Sequence, residues 1–341
     1  LRARIISWNH EREKWPDPST STSGAEDFRE DDMMTRRQFQ TGALGAGVAL
    51  ATHDAPNAQT APKKREIVDA QVHLWKANTP DRPWAPGALQ AQLPEPMTIE
   101  RVKSLMDEAG VDRIVIVPPT LEGYRYDYGQ EAGRRYPGRF ATMARVNFQD
   151  PKEADRLQVL KKEPNVLGIR MFFAGPTGKW LTDGTADWFW PAAEKAGLPL
   201  MFLTVGQTPL FAAIAEKHPG LQLIVDHMGV MDVALKDDSV GARIAETAAL
   251  AKYPNVSVKL SASPLISKEA YPWRDVTPHI KRLFDAFGPK RSFWGTDLTN
   301  TFALGPYRQR ITHFTEELPF LSEDDKDWVM GKAIVEKLRW T

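Results

Sequence analysis

The stretch REIVDAQVHLW, residues 65–75, decides how the rest of the chain is read. It is a short apolar run carrying Asp69, Gln71 and His73, and it reads as a β-strand whose C-terminal end presents polar side chains. Seven further runs follow: RIVIVPP from 113, FATMARV from 140, VLGIRMFF from 166, PLMFLTV from 199, LQLIVDH from 221, NVSVKLS from 255 and SFWGTDL from 292. Between them lie amphipathic segments such as 98–110, 150–163, 208–220 and 276–288, several ending on Gly as helix C-caps do. Eight βα repeats over about 275 residues predict a (β/α)8 TIM barrel. A doubly wound open sheet is the competing fold, but no Gly-rich phosphate loop follows any of the strands.

In such a barrel the active-site groups come from the C-terminal ends of the strands. Those ends carry Gln71 and His73 after strand one, Tyr124, Tyr126 and Tyr128 in the long loop after strand two, Arg145 and Asn147 after strand three, and Arg170 on strand four. Strand five ends at Thr204, strand six at His227, strand seven at Lys259 and Ser261, and strand eight at Asp297. Of the seven histidines, His218, His279 and His313 fall in helical patterns and are expected on the surface, while His10 and His53 belong to the N-terminal tail. That leaves His73 and His227 pointing at the centre.

The 341 residues, 42% of them hydrophobic, suit one sizeable domain plus tails. Lys+Arg and Asp+Glu both number 44, so the chain lacks the basic surface that a non-specific nucleic-acid binder needs. The absence of Cys excludes disulfide frameworks, thiolate metal sites and cysteine nucleophiles. Residues 1–62 differ in character, and 1–32, polar and aperiodic, are expected to be disordered. TRRQFQTGALGAGVALAT, residues 35–52, follows Met33 and Met34 and resembles a twin-arginine (Tat) export signal over about 33–60, with Arg36, Arg37 and Phe39 in place and Ala55 and Ala58 as cleavage sites. Its apolar run falls short of the roughly 20 residues that span a bilayer. The expectation is a periplasmic enzyme domain over 63–341 with no membrane insertion, and a cytoplasmic location is the alternative.

Taken in order, DAQVHLW (69–75), RIVIVPPT (113–120), RRYPGRFATMARVN (134–147), VLGIRMF (166–172), VDHMG (225–229), NVSVKLS (255–261) and FWGTDLT (293–299) resemble the amidohydrolase-related family. Within it they are similar to the lactonase branch, which includes 2-pyrone-4,6-dicarboxylate lactonase, 4-sulfomuconolactone hydrolase and L-fuconolactonase. The resemblance implies, for metal-binding members, two histidine ligands from strand one, one from the end of strand five and an aspartate from strand eight. Here Gln71 stands at the first of these positions and PLMFLTVGQ holds no histidine, so His73 and Asp297 remain of the four. His227 corresponds to a residue that contacts substrate or water. Zinc catalysis ordinarily takes three good protein ligands and an open position. The resemblance to the pyrone-dicarboxylate lactonases, which work without metal, therefore sets the expectation of no cofactor; one zinc or manganese ion on His73, His227 and Asp297 is the alternative.

On this reading Asp297 is the general base for the attacking water. His73, His227 and the Gln71 amide donate to the carbonyl oxygen as it gains charge. Arg170 takes a substrate carboxylate and Arg145 seconds it. Tyr124, Tyr126 and Tyr128 close over the substrate, and Lys259 adds a positive charge. The expected function is a hydrolase that opens a lactone or related activated ester of a small carboxylated ring compound, with no nucleic-acid partner and with a homodimer allowed. Two other readings stay open: a metal-dependent hydrolase, hydratase or decarboxylase of the same family, and a non-catalytic periplasmic binder of a small molecule. Asp297 also has a structural reading as a cap acting through Thr299 and Asn300, and Arg170 one as half of a buried ion pair. Trp75, Trp180, Trp188, Trp190 and Trp294 are expected to pack.

Overall fold

The structure is a computed structural model that describes residues 64–341 apart from 89–90, 92, 205 and 231–238. The expected N-terminal extension and export signal lie outside the described residues. Eight strands form one sheet in the order β1 (Val68–Val72), β2 (Arg113–Ile116), β3 (Phe140–Ala144), β4 (Val166–Phe173), β5 (Leu200–Thr204), β6 (Leu223–Val225), β7 (Val256–Leu260) and β8 (Ser292–Trp294). Consecutive strands run parallel. The helices between and after them are α1 (Ile99–Ala109), α2 (Asp127–Arg135), α3 (Glu153–Leu160), α4 (Phe189–Ala196), α5 (Phe211–Lys217), α6 (Val240–Ala249), α7 (Ser263–Ile266), α8 (Thr277–Phe287), α9 (Tyr307–Thr315), α10 (Glu323–Asp327) and α11 (Ala333–Leu338). This is the (β/α)8 barrel that the eight apolar runs predict.

Helix α1 illustrates how short-range chemistry sets the elements. Thr98 caps its start by accepting from the Arg101 N–H, and Gly110, at φ 81°, takes the left-handed conformation that ends it. Ile99, Val102, Met106 and Ala109 form the stripe that it buries. No helix among the described residues is long and apolar enough to cross a membrane.

Along β3 the alternation is regular: Ala141 and Met143 face the barrel axis, while Phe140 and Ala144 pack toward the helices. Strand β1 breaks this rule. Val68 and Ala70 belong to the interior cluster, yet Val72 and Leu74 pack outward, and the pairing with β2 shifts register between Asp69 and Val72. One extra residue reverses the alternation. Asp69 therefore faces outward, whereas Gln71 and His73, only two and four residues on, face inward.

The outward Asp69 stitches β1 to the segment after β8. Its carboxylate accepts from Gln71 N at 3.0 Å, Thr296 N at 2.9 Å, Thr296 Oγ1 at 2.5 Å and Tyr307 OH at 2.7 Å. Burial pushes this carboxyl up, against the pull of those donors. A further bond runs from Asp297 N to Gln71 O at 3.0 Å. Gly295 sits in this seam, where a Cβ would lie 3.3 Å from Gln71 N.

The N-terminal mouth is plugged by the last helix. Ile334 and Leu338 of α11 and the following Trp340 join Val68, Val115, Ala141, Met201, Ile224 and Phe293 in one apolar cluster. Three histidines expected on helix surfaces are placed otherwise. His313 is fully buried between Trp273 and Phe314, His218 is buried against Glu194, and His279 is half-buried. A helical pattern fixes which residues share a face, but not which face a neighbouring aromatic covers.

Candidate active site

The β1 bulge brings Gln71 and His73 to the inside of the C-terminal mouth. His227 and Asp297 reach it from the segments after β6 and β8, each on left-handed backbone, with φ 51° and 52°. For residues other than Gly that conformation costs roughly 1–2 kcal/mol, so the segments after β6 and β8 carry strain where their side chains converge.

His73 Nδ1 lies 2.6 Å from the Val117 carbonyl, so this nitrogen carries a proton and Nε2 is the one that meets Asp297 Oδ1, at 3.2 Å. Sequence reasoning aimed His73 at a substrate carbonyl; the structure aims it at the carboxylate. His227 Nδ1 is 2.9 Å from Ser261 Oγ, and its Nε2 is 3.8 Å from Asp297 Oδ2. Asn300 Nδ2 donates to the same Oδ2 at 2.8 Å. Oδ1 has no aligned hydrogen-bond donor. Burial alone would raise the Asp297 carboxyl, but the neighbouring imidazoles of His227 and His73 and the hydrogen bond from Asn300 hold it well below the usual carboxylate range. Burial pushes His227 down, against the carboxylates of Asp297 and Asp226.

Beneath this layer lies a buried ion-pair network. Asp226 forms an ion pair with Lys259 Nζ at 2.9 Å and accepts from Arg170 Nε at 3.3 Å, and Lys259 Nζ donates to Gln71 Oε1 at 2.7 Å. Burial would raise Asp226, but the charges of Lys259 and Arg170 outweigh it and keep the carboxyl low; burial draws Lys259 down. Lys259 is fully buried, with Asp226 and Gln71 as its partners. Arg170 spends Nε on Asp226, while its two Nη atoms have no partner among the described residues. Its ion-pair and substrate-binding readings are thus compatible. Arg145 donates to Pro118 O at 3.3 Å and leaves Nε without a partner. Burial and then the charge of Arg170 push it down to about 10, which still leaves it charged at neutral pH.

Of the three tyrosines only Tyr124 stands near this group, half-exposed, with its hydroxyl 3.1 Å from Asn147 Oδ1. Tyr126 and Tyr128 are drawn elsewhere because α2 begins at Asp127 and turns them outward. The Tyr126 hydroxyl joins Glu163 and Arg156, and the Tyr128 hydroxyl accepts the Ile99 N–H at the start of α1. Sequence reasoning assigned no role to Asp226, and it named Asn300 only in the reading of Asp297 as a structural cap. The signal for Asp226 is a strand-interior lysine, which needs a buried counter-charge. Asn300 stands three residues after Asp297, a spacing that lets one side chain reach the other.

Among the described residues no group of three or more His, Asp or Glu side chains is placed to hold a metal ion. The pocket instead contains buried polar atoms without partners, Gln71 Nε2, Asp297 Oδ1 and Arg145 Nε, each able to be satisfied by a ligand.

The profile of the amidohydrolase family matches residues 68–336. An L-fucono-1,5-lactonase of Burkholderia ambifaria is 28% identical over 244 residues, which is 67% of this chain and 79% of the relative. A 4-sulfomuconolactone hydrolase of Hydrogenophaga intermedia is 25% identical over 211 residues, 60% of this chain and 66% of the relative. The crystal structure of an amidohydrolase from Burkholderia multivorans with bound zinc superposes with a TM-score of 0.68 at 19% identity, covering 80% of this chain and 99% of that one. At that identity the likeness is one of fold.

Proposed function

The chain belongs to the amidohydrolase family, and from that premise we propose that it opens the ring of a lactone, or a related activated ester, in a small carboxylated compound, using water activated by Asp297 and no metal. The observation that carries the carboxylated substrate is an excess of buried positive charge. Arg145, Arg170 and Lys259 face Asp226 and Asp297, so an incoming carboxylate completes the balance. The Nη atoms of Arg170 offer it a bidentate fork. The lactone is supported by the activities for which the B. ambifaria and H. intermedia relatives are named.

The donor set does not fit a catalytic zinc. By count His73, His227 and Asp297 would equal a two-histidine, one-carboxylate zinc set, but among the described residues they are not placed to hold an ion together, and the only ligating atom of Gln71 is already held by Lys259. No step below passes through a metal. Water attacks the carbonyl carbon while Asp297 Oδ1 takes its proton. A carboxylate held so low is a weak base, and His73 compensates, because its Nε2 lies 3.2 Å away and shares the proton. The oxygen that gains charge is held by Gln71 Nε2 and by His227 Nε2, which carries the proton when Ser261 donates to Nδ1. When the intermediate collapses, the ring C–O bond breaks. The leaving oxygen recovers the proton from the Asp297–His73 pair, and the product is a hydroxy acid. We place this reaction in the periplasm on the strength of the twin-arginine segment at residues 35–52.

Elemental mass spectrometry on protein purified without chelator, paired with turnover of carboxylated lactones with and without EDTA, tests this reading. Less than about a tenth of an equivalent of metal, with turnover that EDTA leaves unchanged, is the expected result. Near-stoichiometric zinc or manganese, with activity lost on chelation, sinks the metal-free mechanism.

A further inference from the structure

We propose that the buried Lys259 ammonium is a positioning group: it fixes the Gln71 amide with Nε2–H aimed into the pocket, and its charge keeps a divalent cation away from Gln71 and His73. The inference rests on the reading of this pocket as the hydrolytic site and adds how that site works at the position where other barrels carry a metal ligand.

The argument starts from donor chemistry. A lysine ammonium donates and never accepts, so the group that meets it at 2.7 Å must be the carbonyl end of the Gln71 amide. The amide is planar, and its NH2 therefore points away from Lys259. That nitrogen is fully buried and has no partner among the described residues. An unsatisfied buried donor is rare in a folded interior, and here it sits at the strand end beside His73. A free glutamine would rotate to place either atom toward the pocket; one tied to Lys259 presents only the donor. Lys259 is itself held by Asp226 Oδ1 at 2.9 Å, and Asp226 is held in turn by Arg170, so the orientation runs from the ion-pair network through Lys259 to the amide.

The same contact disfavours a metal. Any divalent ion ligated by Gln71 must use Oε1, which already faces the ammonium. Like charges this close repel strongly in a buried site.

The test has two arms. In the first, zinc is titrated calorimetrically into wild type, Gln71→His and Gln71→His/Lys259→Met. The double variant should bind about one equivalent at least roughly 100-fold more tightly than Gln71→His. Equal affinity in the two variants, or no binding by either, overturns the exclusion of metal by Lys259. The second arm is a cycle of Gln71→Met, Lys259→Met and their combination, with 2-pyrone-4,6-dicarboxylate as the probe. Each single change should lower kcat by about 100-fold with little change in KM, and the combination should fall no further than the worse of the two. Losses that multiply show that Lys259 does not act through Gln71. Should Lys259→Met fail to fold because Asp226 is left half-paired, Lys259→Met/Asp226→Asn replaces it in both arms. Wild type without turnover, alongside the expected zinc pattern, sinks the hydrolytic reading and leaves the exclusion of metal by Lys259 standing.

Discussion

At the N-terminal end of the barrel, Ile334, Leu338 and Trp340 meet Val68, Ala141, Met201 and Ile224, and the interior is apolar side chain against apolar side chain. At the C-terminal end, the same strands present Gln71, His73, Arg145, Arg170, His227, Lys259 and Asp297, with buried polar atoms left open. Both ends are shielded from water, so burial alone does not mark the site. What differs is whether the buried groups are complete without a ligand. The plugged end is satisfied by the chain itself, and the open end is not.

That contrast can be broken first at Asp297. Asp297→Asn removes the base while keeping the shape and the Asn300 contact. It is expected to lower kcat by about 10²–10⁴-fold, with the thermal midpoint shifted by only a few degrees. Steady-state kinetics on the responding lactone, with a melting curve alongside, decides it; a variant that keeps turnover would place the base elsewhere. The opposite end should behave in the opposite way. Ile334→Ala opens a cavity at a fully buried position and is expected to cost about 2–5 kcal/mol in urea unfolding, with kcat in folded protein unchanged within twofold. A large kcat loss there would mean that the two ends are coupled.

A third measurement separates burial from function. His313 is buried with neither ring nitrogen bonded, and burial pushes it down to about 4. Because its folded value lies below its unfolded one, the unfolded chain binds the extra proton. The stability His313 leaves intact above about pH 6.5 is therefore lost as pH falls toward 4, by up to about 3 kcal/mol. The depressed Asp297 carboxyl acts below that window, where its stabilisation disappears as pH drops under about 4. Urea unfolding at several pH values should show His313→Phe losing less stability than wild type between pH 6.5 and 4. Parallel curves would mean that His313 is solvated.

The strands were legible in the sequence because a parallel barrel buries both faces of each strand and leaves near-continuous apolar runs. The polar strand ends were legible because few other residues in those runs are polar. The aim of individual side chains was not. On paper Val68, Ala70 and Val72 share a face, and only pairing with β2 reveals the bulge that sends Gln71 and His73 inward. Tyr126 and Tyr128 look alike with Tyr124 until α2 starts between them and turns two of the three away. Asp226 was overshadowed by His227 beside it, since a run of residues does not say which of two polar neighbours faces a lysine from another strand.

The Asp69 seam has a consequence for how the molecule is made. Its carboxylate bonds Thr296, 227 residues away, and Tyr307, 238 residues away. The ring therefore closes only after nearly the whole barrel has been synthesised, and loop-closure entropy makes so distant a contact late on the folding path. Until then β1 waits with one edge unpaired, and a free strand edge invites pairing with the wrong chain. A carboxylate at that edge discourages such pairing while the chain is incomplete. In the finished barrel the same group, met by its four donors, becomes the clasp.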